Sequence, residues 1–208
     1  MIVGILILLV ALLLGFSIGS LPFTYLGAPI FKGKPKKIHF QSIVDGIKLR
    51  LASRKAALLS IARRVQMVKA VVQSMLLHTM TIYSWPVSLI REIEKWIKNF
   101  IWSGDIAKRK IVIVAWKKIC ATYEEGGLNI RSIVGLNEAT NLTICWDVLH
   151  SNEQWASILK SRVLRGTNCI NHHINSSIWS SIKMEYPIVK ENSSWLVGDG
   201  QQIGFWFD

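Results

Sequence analysis

From Phe40 to Phe100 apolar residues return every third or fourth position in three successive runs, which commits this stretch to amphipathic helices. Phe40, Ile43, Val44, Ile47 and Leu51 mark the first run, with Lys48, Arg50 and Arg54 among the intervening positions. The second follows Ser60, a good N-cap, and puts Ile61, Val65, Val68, Val72 and Leu76 on one stripe. It is expected to reach Tyr83 before Trp85-Pro86 ends it. Gln66, Lys69 and Gln73 lie along another face of that helix, flanked by Arg63 and Arg64. The third is expected to begin after Pro86 with Ser88 as N-cap, to bury Leu89, Ile93, Trp96, Ile97 and Phe100, and to stop at Gly104. Three such helices with short joints make a small bundle. Trp96 and Trp102 are read as core anchors of that bundle rather than as base-stacking platforms.

Charge is distributed unevenly around this helical stretch. The formal net charge is +12, yet residues 1–31 carry no charged side chain. Between Lys32 and Lys118 there are 19 Lys and Arg against 4 Asp and Glu; from Ile119 onward 6 basic residues meet 9 acidic ones. A positive field confined to one stretch favours a polyanion, either nucleic acid or an anionic membrane surface. Half of the residues are hydrophobic, which excludes a disordered basic tail. The 3 cysteines cannot close a disulfide framework.

Short motifs flank the helical patterns. Leu21 to Ile30 alternates apolar and small residues between prolines and reads as a strand and turn, with Gly27 allowing a tight bend. Lys32, Lys34, Lys36 and Lys37 then surround a Gly and a Pro on a loop suited to phosphate contact. Lys108-Arg109-Lys110 precedes the β-branched run Ile111–Val114, which is expected to be a strand pairing back with Leu128–Ile130 across the turn at residues 124–127. Beyond residue 136, further amphipathic helices are expected. Leu142, Trp146 and Leu149 form one stripe, and Trp155, Ile158, Leu159 and Val163 another. Gly198-Asp199-Gly200 is expected to turn a hairpin before Ile203.

The first fourteen residues, Met1 to Leu14, are uninterrupted hydrophobic sequence. Three readings fit them: a marginal transmembrane segment over residues 1–19, a cleaved signal peptide, or a buried core segment. The downstream cations would hold the body on the cytoplasmic side of a membrane. A signal peptide would suit the sequons at Asn141, Asn175 and Asn192, but its usual basic start is missing.

Catalytic and metal signatures are weak. Cys169 with His172 and His173 has the spacing of a metal half-site, and no second close pair completes four ligands. No Gly-x-Ser-x-Gly is present. The five aspartates, Asp45, Asp105, Asp147, Asp199 and Asp208, are scattered and read as surface or capping residues. No metal ligand, catalytic residue or cofactor is expected in this chain.

From Gly15 onward, blocks of the sequence resemble the reverse transcriptase of plant LINE-type (non-LTR) retrotransposons. Leu21–Phe31 looks like the Leu-Gly hairpin that follows the polymerase palm, and residues 58–69 look like the long thumb helix. Residues 100–104, residues 114–120, Gly126-Gly127-Leu128 with Arg131, and residues 136–139 match blocks beyond the thumb. Trp195 to Gly200 with Phe205-Trp206 resembles the stretch before a C-terminal zinc-binding module. One departure is Arg63, where the family usually has glycine. A larger one is the absence of the adjacent aspartates that hold two metal ions in such polymerases.

The resemblance implies a mainly α fold: a thumb-like helical bundle with short β-hairpins, following the apolar N-terminal segment. The division expected is an apolar leader over 1–19, a primer-grip-like hairpin and bundle over 20–104, and a Trp-rich connector over 105–208. It also implies an RNA–DNA or DNA duplex as partner, gripped through phosphates, with Tyr25, Leu26 and Gly27 near the primer end. Lys32, Lys34, Lys36, Lys37, Arg63, Arg64 and Lys69 are then the duplex-contact candidates. The parent's magnesium, palm and fingers would belong to residues outside this chain, which alone is expected to be inactive. Its location would be the parent's, nuclear or cytoplasmic, or a membrane if residues 1–19 insert. Two rival expectations are a single-pass membrane protein with a basic helical domain and a decayed transposon reading frame with no function.

Overall fold

The computed structural model describes residue 15 and residues 19–52, 58–165, 168–170, 172, 174 and 176–194. Among the described residues it is mainly helical, with seven helices and two small antiparallel hairpins. The leader (1–14 and 16–18), the expected hairpin near residue 199 and the stretch resembling the approach to a zinc module lie outside the described residues. Among those described, no helix is long and apolar enough to cross a membrane.

The first hairpin pairs β1 (Phe23–Tyr25) with β2 (Ala28–Ile30), Tyr25 opposite Ala28. Its two turn residues, Leu26 and Gly27, both have positive φ, at 47° and 83°. Two left-handed residues match the right-handed twist of the flanking strands.

After a single 3₁₀ turn at Lys37–Phe40, α1 (Gln41–Leu51) buries Val44, Ile47 and Leu51. The next helix, α2, is continuous over residues 61–80 but has a π-helical middle at Val68–Gln73. Ser60 caps it, the Oγ accepting from the Arg63 N–H at 3.4 Å. The stripe Val65, Val68, Val72 and Leu76 is buried, whereas Ile61, at the open first turn, is half exposed. The helix stops at Met80 rather than Tyr83, because Tyr83 turns in to stack beside Phe31.

α3 (Val87–Ser103) takes Pro86, not Ser88, as its N-cap. Proline has no N–H to leave unsatisfied, and the carbonyl of Pro86 accepts the first helical bonds from Leu89 and Ile90. Leu89, Ile93, Ile97 and Phe100 are buried as the spacing predicts, and Gly104 closes the helix in a left-handed conformation (φ 77°). Trp96 and Trp102 are half-buried and pack against this core.

The expected strand at Ile111–Val114 does not form. Ile111 and Ile113 are exposed, and no strand among the described residues pairs with them. Leu128 and Asn129 donate instead to the carbonyls of Ile119 and Ala121 after the short helix α4 (Trp116–Ile119). A β-branched run becomes a strand only where another strand offers it hydrogen bonds.

α5 (Ile133–His150) is the link between two cores. Ile133 and Leu136 at its start close a first core that runs from Phe31 through the bundle, so that core draws on both sides of residue 104. Cys145 and Val148 at its end belong to a second core with α6 (Gln154–Val163), the hairpin of β3 (Leu164–Arg165) and β4 (Asn168–Cys169), and α7 (Trp179–Asn192). Burial on two sides explains why the predicted stripe is partly displaced. Leu142 and Leu149 pack against the second core as the spacing predicts, but Trp146 is half exposed and stacks on His150, while Ile144, Cys145 and Val148 are inside. In α6 half of the expected stripe is inside, Val163 buried and Leu159 packed against the second core, while Trp155 and Ile158 face out and Ala156 is buried instead.

Candidate nucleic-acid interface

The hairpin stands directly over α2. His78, exposed on that helix, donates from Nε2 to the carbonyl of Leu26 at 2.9 Å, which fixes the turn. Tyr25 and Leu26 remain exposed, at 63% and 77%, and nothing lies within 4 Å of where a Gly27 Cβ would be. Open space beside a backbone turn admits a ligand close to the main chain.

The lysine loop that follows is pinned at its two ends. Phe31 is buried against Phe40 and Tyr83, and the His39 ring stacks on it with centroids 3.9 Å apart. His39 Nδ1 in turn accepts from the backbone N–H of Lys36 at 3.2 Å. Burial, aided by the nearby Lys36 charge, holds the His39 imidazole below its ordinary value, which suits an acceptor nitrogen. Between these anchors Lys32, Lys34, Lys36 and Lys37 are exposed.

The cations of α2 divide into two groups. Arg63 is exposed. Arg64 instead donates from Nη1 to the carbonyl of Ile101 at 3.2 Å, at the C-terminal end of α3. Lys69 donates to the hydroxyl of Tyr123 at 2.8 Å and sits 4.6 Å above its ring. Gln73, one turn on, donates to the Arg131 carbonyl at 2.8 Å. The polar face of α2 that the sequence offers to solvent therefore straps the segment 123–131 to the bundle.

A second basic surface was not singled out by sequence. Arg91, Lys95 and Lys98 on α3 face Arg109 and Lys110 across a cavity of about 600 Å³. Their helical spacing (i, i+4, i+7) is the signal that would have found them. Between described residues Lys48 pairs with Asp45 at 3.8 Å, and no described carboxylate pairs with Lys32, Lys34, Lys36, Lys37 or Arg63.

Among the described residues no three His, Cys, Asp or Glu side chains come together. Asp45 accepts from Gln41, and Asp105 accepts from the N–H of Ala107, a turn-capping role. The thiols are poor nucleophiles: burial first, then Glu94, pushes Cys120 up to about 11, and burial pushes Cys145 up to about 11. The sequon residue Asn141 is buried and donates to Ser84 Oγ, out of reach of glycosylation in the folded chain.

Comparison with known proteins finds similarity to two from Arabidopsis thaliana. One, named as a candidate ribonuclease H protein, is 29% identical over 187 residues, covering 86% of this chain and 30% of that protein. The other, an uncharacterized mitochondrial protein, is 26% identical over 136 residues, covering 63% of this chain and 88% of its own length. No family model and no solved structure matches. The chain thus spans about a third of the first of these relatives and shares sequence with it along most of its own length.

Proposed function

We propose that the chain is a retroelement-derived, non-catalytic module of the reverse transcriptase class that holds a template–primer duplex through its phosphates. The observation that carries this reading is exposed positive charge that no described carboxylate pairs. Lys32, Lys34, Lys36, Lys37 and Arg63 are exposed and no carboxylate among the described residues pairs with them. The hairpin beside them is anchored to α2 and presents open main chain at Gly27. Phosphate contacts carry no sequence information, which suits a surface that must travel along any template. The name of the longer relative, a ribonuclease H protein, supports a retroelement origin. Arg64 and Lys69 are not counted among these cations, since their head groups are held by the Ile101 carbonyl and the Tyr123 hydroxyl.

The test is binding of the full chain to a labelled RNA–DNA hybrid over a salt series. Affinity is expected to fall steeply with salt. Replacing Lys32, Lys34, Lys36 and Lys37 with alanine is expected to reduce the slope of log K against log salt by about 3 to 4, near 0.9 per phosphate contact. A salt-independent affinity, or an unchanged slope in the variant, would overturn the reading.

A further inference from the structure

We infer that the cleft between α3 and residues 107–116 is a second site, for single-stranded nucleic acid. It goes beyond the duplex reading and uses different cations. On α3, Arg91, Lys95 and Lys98 share one face and Trp102 extends it by another turn, a stripe about 16 Å long at 1.5 Å per residue. The opposite wall carries Arg109 and Lys110, and among the described residues no acidic side chain lines the cavity.

The opposite wall is built, not loose. Gly104 reverses the chain after α3. The Ser103 hydroxyl lies 2.7, 2.8 and 2.9 Å from the carbonyls of Asn99, Asp105 and Lys108, with one proton to donate among them, and accepts from the Asp105 N–H at 3.1 Å. Asn99 Nδ2 donates to the carbonyl of Ile106 at 2.7 Å. These bonds hold the segment entering Arg109 and Lys110 against the end of α3. Five like charges around about 600 Å³ repel one another, and an anion in the cleft relieves that repulsion.

The apolar half of the wall separates a single strand from other polyanions. Trp102 and Trp116 line the cleft half-buried, and Ile111 and Val114 are exposed along it. Lys98 lies 4.8 Å over the Trp116 ring, and the buried Trp116 Nε1 has no hydrogen-bond partner. A single strand supplies both halves of the match, phosphates for the cations and unpaired base faces for the rings and aliphatic surface. A duplex keeps its base faces stacked away, and a ring-free polyanion such as polyglutamate matches the cations alone.

The experiment compares the full chain with the triple variant Lys95→Ala, Arg109→Ala, Lys110→Ala, using a fluorescent twelve-nucleotide oligo-dT, the RNA–DNA hybrid and polyglutamate. The single variant Lys108→Ala, a neighbouring cation outside the lining, is the control, and unchanged thermal unfolding of the triple variant confirms its fold. We expect oligo-dT affinity to fall more than tenfold in the triple variant, its salt slope to drop by about 2 at 0.7 per contact, and hybrid affinity to hold. Trp116→Phe should weaken oligo-dT and leave polyglutamate unchanged. Equal binding of polyglutamate and oligo-dT would show a general anion site and overturn the assignment, as would equal losses of oligo-dT and hybrid, or an equal effect of Lys108→Ala. Failure of hybrid binding alone would strike the duplex reading and leave this one standing.

Discussion

His78 Nε2 donates to the carbonyl of Leu26 at 2.9 Å, so a side chain on α2 holds a hairpin turn 52 residues earlier in the sequence. The turn needs holding, because Leu26 sits at φ 47°, where a side chain is unfavourable by roughly 1 kcal/mol. His78→Ala is therefore expected to destabilise the hairpin by about 1 kcal/mol with the bundle intact. Faster amide exchange confined to residues 23–30 would agree; unchanged exchange there would contradict it.

Glu94 is buried in α3, and its Oε1 accepts from Ser132 Oγ at 3.1 Å and from the Ile133 N–H at 3.0 Å, at the start of α5. A negative group there offsets the positive end of the helix. Glu94→Ala leaves a buried N–H unpaired and should cost about 1–3 kcal/mol. Glu94→Gln keeps an acceptor and should lose less than half of that. Urea denaturation of the two variants checks the order, and equal losses would show that the capping bonds contribute little.

Lys69 tests the division between bracing and binding cations. Lys69→Met removes the bond to Tyr123 and the cation over its ring, for an expected loss of about 1 kcal/mol. The salt slope for hybrid binding should stay where it is. A slope that fell with stability unchanged would mean that the ammonium serves a phosphate rather than the fold.

His39 gives the chain a pH-dependent component of stability. Burial and Lys36 hold its folded-state value below the ordinary 6.5. An unfolded chain thus takes up a proton as pH falls through 6.5 while the folded one does not yet. The contribution is fully present above 6.5 and is lost as pH drops from there through the folded value. His39→Phe keeps the ring stacked on Phe31 and removes the titration. Thermal midpoints from pH 7.5 to 5 should fall more for the parent chain than for the variant; parallel curves would exclude His39 as the source.

Local spacing made α1 and most of α2 and α3 legible, because one buried face repeats every 3.6 residues and needs no knowledge of its partner. Gly104 and the bend at Gly27 were legible for a similar reason, since glycine accepts left-handed backbone; the positive φ of Leu26 was not. The reading failed where an element depends on what lies beside it. Ile111–Val114 has strand composition and no strand neighbour. α5 is buried on two sides, so its faces cannot be ranked from its own sequence. Among the site candidates, the exposed state of Lys32, Lys34, Lys36, Lys37 and Arg63 agrees with a loop and a first helical turn, while the engagement of Arg64 and Lys69 was not visible.

The sequence by itself determined a helical bundle, a hairpin and a large excess of positive charge between residues 32 and 118, because these follow from side-chain periodicity, local backbone preference and counting. Only the tertiary structure decided which cations remain available to a ligand. Arg64 meets a carbonyl 37 residues away, Lys69 a phenol 54 residues away, and Gln73 a carbonyl 58 residues away. Hydrogen bonds of that reach depend on how distant segments pack, and no local pattern encodes them.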